Sequence, residues 1–422
     1  MRIFMTNKEK LRKAVIEACL EGKLTNEEAS NKLRCTVRNI KKLKQNYRKK
    51  GEEVFIHGNC GRQPVSTIDA NLRSKIVQLK QSEKYKETNI THFTEVLERD
   101  EGIKLSYSTV YRILSEKNIK SPRKHKKPRV HARRERLSKA GQMLQMDGTP
   151  YEFFKGDPCQ YSLHGFIDDA TGCITGLYMC KNECLQGYLE VLRQTLRTYG
   201  SPQMIYADGT SIMFNNIKKE VSIKDQLAGI CEYTTQFDKI LDEFGIEPIR
   251  ANSPQAKGRI ERLWNTLHDR LRNEFTINGI SSIEAANAFL PKFISYYNNK
   301  FGKKPKDSNS AFVPLPKGIN LDLILTARVT RTPDVSNTIS IKKQLFKIDC
   351  REILHKKKVD ILISKKIGMK ALYNGKLYPL IPIIENSSSL ERVDSDSTDN
   401  IIQNFIFYYC FSSVKALKPI EV

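Results

Sequence analysis

Residues Arg250–Leu271 read RANSPQAKGRIERLWNTLHDRL, and how this stretch folds decides the reading of the chain around it. Ser253 is a natural N-cap and Pro254 suits the first helical position. Ile260, Leu263, Leu267 and Leu271 then recur at helical spacing and predict one buried stripe. Glu261 flanks that stripe, so it can point toward a neighbouring element. Lys257 stands four residues earlier on the same face. A carboxylate set among bases at the start of a helix is either an ordinary surface charge or one ligand of a metal site that works on something negatively charged.

Working upstream, IEPIRA (246–251) predicts a strand, TTQFDKILDEFG (234–245) a helix and PQMIYADG (202–209) a strand ending at Asp208. CLQGYLEVLRQTLRTYG (184–200) is an amphipathic helix on Leu185, Tyr188, Leu189, Leu192 and Leu196. Before it, QYSLHGFIDDATGCITGLYMC (160–180) reads as two strands joined through DATG, and QMLQMDGTPYEFF (142–154) as a strand with Asp147 near its end. Three strands, helix, strand, helix and strand form an α/β order with mixed pairing. Asp147 and Asp208 are each followed by glycine. With Glu261 they make an oxygen-rich set suited to a hard cation such as Mg²⁺. Two such ions about 4 Å apart activate the attacking oxygen and stabilise the leaving oxygen in displacement at phosphorus. Asp168 and Asp169 compete for the same role, but their place in DDATG reads as turn and capping.

The chain has 71 Lys+Arg against 47 Asp+Glu, a formal net charge of +24, which points to a polyanionic partner. No apolar run reaches the roughly 18 residues of a membrane span, and MRIFMTNKEK at the start lacks the apolar segment of a signal peptide. Ten scattered cysteines include no C-x-x-C pair. His57 and Cys60 lack a second half-site for zinc, so reduced thiols are expected.

The first 62 residues predict a helix-turn-helix unit. Leu11, Val15, Ile16 and Leu20 face inward on its first helix. Thr25 and Glu28 form a capping box on the second. A third helix has Ile40, Leu43 and Tyr47 inside and Arg38, Lys41, Lys42, Lys44 and Arg48 outside. Residues 63–120 repeat the pattern, with Val110, Ile113 and Leu114 packed and Thr109 and Arg112 outward for DNA. Small bundles with solvated basic faces would share both patterns. Residues 121–136 are a dense basic linker. Residues 320–385 predict short alternating strands with an Asn374-Gly375 turn, as in a small β-barrel. ENSSSLERVDSDSTDN (385–400) reads as disordered, and the apolar segment after it has no assignment, leaving 386–422 as an uncertain tail.

GQMLQMDGTPYEFF, FIDDATGCITGLYM, IYADGTSIMF, the Arg250–Leu271 stretch and GISSIEAANAFLPKFISYYNNKF resemble DDE transposases of insertion sequences, closest to the ISNCY group, with a retroviral-integrase-like core. The likeness is strong over residues 137–305, and residues past about 390 depart from it. It implies an RNase H-like core between all-α helix-turn-helix domains and a small barrel. Asp147, Asp208 and Glu261 would be the catalytic and metal-binding set, with two Mg²⁺ or Mn²⁺ ions. Lys257 and Arg259 would lie on the DNA. Asp208 and Glu261 are 53 positions apart (261 − 208), which NNIKKEVSIKDQLAGICEYT accounts for as an insertion. The family cuts transposon ends with water and joins the freed 3′-hydroxyl to target DNA. Double-stranded DNA ends, a homo-multimer assembled on them and a bacterial cytoplasmic, nucleoid-associated location are implied. A catalytically inactive repressor and a purely hydrolytic nuclease are the alternatives.

Overall fold

The computed structural model of the chain describes residues 6–56, 67–122, 135–209, 212–214, 235–251, 258–383 and 395–411. Ser253, Pro254, Lys257, the His57–Cys60 pair, the insertion after Asp208 and most of the basic linker lie outside these. The chain divides into two units, Met1–Ile76 and Val77–Val422.

In the first unit, α1 (Asn7–Leu20), α2 (Asn26–Leu33) and α3 (Val37–Lys50) begin at Thr6, Thr25 and Thr36. Thr25 and Glu28 close the expected capping box. Val15, Ile16, Cys19, Ala29, Ile40 and Phe55 form the core. Leu11, expected inside, is 56% exposed, because the buried stripe of α1 is Val15, Ile16 and Cys19. Lys44, expected outside, turns back and donates to Cys19 O at 3.3 Å and Asn26 Oδ1 at 3.2 Å. Arg38, Lys41, Lys42 and Arg48 are exposed.

The second unit contains α5 (Ile90–Glu101) and α6 (Tyr107–Glu116), preceded by α4 (Ala70–Gln81), which spans the division. Val110, Ile113 and Leu114 are buried as the spacing requires. Next come β1 (Met143–Tyr151), β2 (Tyr161–Asp168), β3 (Ile174–Cys180), α7 (Leu185–Thr198), β4 (Met204–Ala207), α8 (Gln236–Glu243), β5 (Glu247–Arg250), α9 (Gly258–Ile277) and α10 (Ile283–Phe301). The sheet order is β3-β2-β1-β4-β5, with β2 antiparallel to both neighbours and β4 parallel to β1 and β5. Alternation along β1 sorts the layers. Leu144 and Met146 pack with α7 and α8, while α9 and α10 cover the opposite face over Leu163, Ile167 and Leu177.

The face under α7 has little slack. Buried His164 accepts from the Cys184 amide through Nε2 at 3.1 Å, so its Nδ1–H faces Tyr178 O at 3.3 Å. Burial pushes its pKa down to about 4, leaving it neutral. A Cβ on Gly187 would meet the His164 ring at 2.4 Å. Gly187→Ala is therefore expected to cost about 1–3 kcal/mol by overpacking, read by urea denaturation, and an unchanged midpoint would show that the helix can shift.

The C-terminal region holds α11 (Leu321–Ile324), β6 (Ala327–Arg331), β7 (Thr338–Ile341), β8 (Gln344–Ile348), β9 (Val359–Ser364), β10 (Gly368–Tyr373) and β11 (Lys376–Ile383). These strands form an antiparallel sheet in the order β6-β9-β10-β11-β8-β7. Asn374 and Gly375 both take positive φ at the β10–β11 turn, as a two-residue hairpin demands. The expected barrel does not close among the described residues. The edge strands come near enough for Arg331 Nε to reach Ser340 O at 3.0 Å, so the sheet is a curled half-barrel. The expectation of disorder over 385–400 is corrected in part: Ser395–Ile406 is a helix, α12, followed by a π-helical turn at Phe407–Phe411. Ile406 and Cys410 are buried in the cluster that also takes in β9, β10 and α7. That explains the apolar character of the segment.

Candidate active site

Asp147 lies in the middle of β1, opposite Gly165 of β2, and not near the strand end as its Asp-Gly dipeptide implied. Gly148 continues the strand. The glycine serves close approach: a Cβ there would meet the Tyr188 hydroxyl at 2.9 Å and the Glu183 carboxyl carbon at 3.2 Å. Tyr188 Oη donates to Glu183 Oε1 at 2.6 Å. Met143 pairs with Met204 and Gln145 with Tyr206, so the same offset carried two residues on sets Asp208 opposite Asp147. Asp208 follows the last residue of β4 and is exposed. The Arg250 guanidinium, from the end of β5, lies against Gly209 and over the Phe214 ring at 5.7 Å.

Glu261 is exposed in the first turns of α9, and the helix is held to β1 by three polar rungs. Gln145 Oε1 accepts from the Ile260 amide at 3.2 Å, the Trp264 indole donates to Asp147 Oδ2 at 2.9 Å, and Thr149 Oγ1 meets His268 Nε2 at 3.0 Å. The rungs advance two residues on the strand for every four on the helix. At rises of about 3.4 Å and 1.5 Å per residue these steps are roughly 6.8 and 6.0 Å, near enough to stay in phase over two steps. His268 also stacks on Tyr151, with centroids 4.2 Å apart and planes within 4°, and burial lowers its pKa.

The neighbouring acids are committed to structure. Asp168 Oδ2 accepts from the Thr171 amide and hydroxyl at 2.9 and 2.6 Å, and Oδ1 from the Gly141 amide at 3.0 Å. Burial raises its pKa despite these bonds. Asp169 is fully buried and accepts from Gln145 Nε2 at 3.1 Å and the Leu137 amide at 3.0 Å. Arg259, expected on DNA, instead turns inward and donates to Asp169 Oδ1 at 2.6 Å and Glu135 O at 3.0 Å. A buried carboxylate needs a cation, and Arg259 supplies it. Thr109 stays half-buried at the surface, its Oγ1 2.9 Å from Ser106 Oγ at the exposed cap of α6, and Arg112 is exposed. Trp264, Gln145, Thr149 and His268 were missed by sequence reasoning. A usable signal was the alternation of polar Gln145, Asp147 and Thr149 along an otherwise apolar strand.

Among the described residues, no three acidic, histidine or cysteine side chains stand close enough together to hold a metal ion. Asp147, Asp208 and Glu261 are thus carried on adjoining elements without being drawn into one cluster. Their all-oxygen donor chemistry fits a hard divalent cation. Among the described residues, no helix is long and apolar enough to cross a membrane.

No family model matches the chain. It is 33% identical over 364 residues to the transposase for insertion sequence IS1202 of Streptococcus pneumoniae, covering 79% of this chain and 76% of that protein. It is 29% identical over 378 residues to a second protein named as a transposase, y4bF of Sinorhizobium fredii, covering 89% and 79%. Among solved structures, the magnesium complex of the HTLV-2 integrase catalytic core domain is 16% identical, covering 38% of this chain and 88% of that one at a TM-score of 0.26. A simian T-cell lymphotropic virus intasome, in complex with PP2A regulatory subunit B56 gamma, is 13% identical, covering 74% and 100% at 0.32. Both structural likenesses are faint.

Proposed function

The chain belongs to the transposases of insertion sequences, and from that footing we propose that it binds the ends of its element and catalyses their cleavage and transfer to target DNA. The observation that carries this reading is the three-rung ladder, which seats the first turns of α9 with Glu261 against the strand bearing Asp147, beside the strand that ends before Asp208. The sheet order β3-β2-β1-β4-β5 supports an RNase H-like core over residues 137–305.

Asp147, Asp208 and Glu261 would hold Mg²⁺ or Mn²⁺. When bound, such ions polarise the attacked phosphate and lower the pKa of the attacking water or 3′-hydroxyl. The chain's own part is to hold three carboxylates and orient the DNA. No side chain is assigned as a nucleophile, since the oxygens of water and of the 3′-end do that work. Arg38, Lys41 and Lys42 on α3, Thr109 and Arg112 on α6, and Lys257 are the proposed DNA contacts. Residues 1–62 and 63–120 would act as paired helix-turn-helix readers, joined through the basic 121–136 segment to the core, with 320–385 as a small barrel-like domain. Two DNA ends brought together imply a homo-multimer on DNA.

The test uses a labelled duplex carrying the element's terminal sequence, the full-length protein, and Mg²⁺ or EDTA. Nicking at the end and joining to a second duplex, both abolished by EDTA, are expected. End-binding without either reaction would instead favour the repressor reading.

A further inference from the structure

We propose that Trp264 is a positioning residue: its indole N–H sets the Asp147 carboxylate in the orientation in which it takes a divalent cation. This rests on the transposase reading above, which supplies the reason for a cation there. Three observations converge on it. The indole nitrogen lies 2.9 Å from Asp147 Oδ2, a charge-assisted bond and therefore a strong and directional one. The ring is itself fixed, being 6% exposed and lodged where β2 carries no side chain. A Cβ on Gly165, the residue opposite Asp147, would meet the indole Cη2 at 2.8 Å. The ring also sits one helical turn after Glu261, between the rungs at Ile260 and His268. The carboxylate of β1 and the helix turn that carries Glu261 are thus tied through one side chain.

A merely space-filling aromatic does not need its N–H. Trp264→Phe keeps a six-membered aromatic ring and removes the N–H together with the five-membered ring, so packing alone predicts a loss of stability and only the positioning role predicts a loss of metal affinity. Loss of a partner that orients a metal ligand typically weakens metal binding by about 10- to 100-fold. Trp264 is also the only tryptophan in the chain, so its fluorescence reports on Asp147 without a label.

Two measurements on the full-length protein test the proposal. Stepwise addition of Mn²⁺, a paramagnetic quencher, to the metal-free wild type is expected to quench the tryptophan saturably, and Asp147→Asn to remove the saturable part. Free Mn²⁺ counted by electron paramagnetic resonance is expected to show Trp264→Phe binding about 10- to 100-fold more weakly than wild type, with an unchanged circular dichroism spectrum. Gly165→Ala, which leaves the donor but displaces the ring, is expected to weaken binding in the same direction.

Mn²⁺ affinity unchanged in Trp264→Phe, or quenching that is identical in Asp147→Asn, overturns the proposal. If wild type and Trp264→Phe join DNA ends with the same Mn²⁺ dependence, the positioning role fails and the transposase reading stands. If Mn²⁺ binding follows Trp264 and Asp147 but no DNA is joined, the transposase reading fails while the positioning of a metal ligand survives.

Discussion

Glu261→Gln is expected to abolish end cleavage and joining while leaving end-binding and folding intact. The side chain is exposed on α9, and Ile260, Leu263, Leu267 and Leu271 supply the buried stripe, so the core loses nothing. Glutamine keeps the shape and removes the charge that, on the proposed function, a divalent ion would take from its third carboxylate. Metal stabilisation of the transition state amounts to several kcal/mol, so the expected loss is on the order of 10³-fold in joining rate. The measurement is a time course of product at fixed Mg²⁺, alongside a gel-shift titration with the same duplex. Joining within a few-fold of wild type would remove Glu261 from the site.

A second large effect is expected far from those carboxylates. Glu95 on α5 receives both guanidinium nitrogens of Arg270 on α9, at 2.6 and 3.0 Å, together with the Tyr296 hydroxyl at 2.5 Å and the Lys300 ammonium at 2.7 Å. Glu274 on α9 meets His92 Nε2 at 2.9 Å and Arg99 at 2.8 Å, and Asn89 donates to Asp269. Removing one partner of such a cluster strands the others without compensation. Glu95→Ala is expected to cost about 3–5 kcal/mol, read by urea unfolding. Burial alone would raise the Glu95 pKa, but the bonds from Arg270, Lys300 and Tyr296 outweigh it and lower it to about 2. Because the folded pKa is depressed, this stabilisation is fully present above the ordinary carboxylate range and is lost as pH falls through it toward 2. A wild-type acid transition no steeper than that of Glu95→Ala would show the cluster to be superficial.

Much of the fold was legible from local pattern. The α7 and α9 stripes, the β2–β3 hairpin at DATG, the capping box at Thr25 and the Asn374-Gly375 turn each depend on residues within one element or one turn, and each stands where its spacing put it. The misreadings share a different cause. Sequence pattern puts Asp147 near a strand end, but the strand runs on through Gly148 to Tyr151. Only the approach of Tyr188 and Glu183 explains a glycine in mid-strand. Arg259 looked like a surface base until the fully buried Asp169, 90 positions away, claimed it. The ladder mixes a period of two with a period of four, so no single periodicity reveals it. Glu95 and Arg270 are 175 positions apart, and only tertiary packing brings them together.

The bolts at Asp269, Arg270 and Glu274 and the rungs at Ile260 and Trp264 grip the same helix at its two ends. A straight α-helix rises about 1.5 Å per residue, so Glu261 and Glu274 are roughly 20 Å apart along one stiff rod. On the proposed function, that rod is a gauge. It fixes how many base pairs separate the sequence read beside α5 from the phosphate that is cut, and an element end lengthened by even a few base pairs there would present the wrong bond.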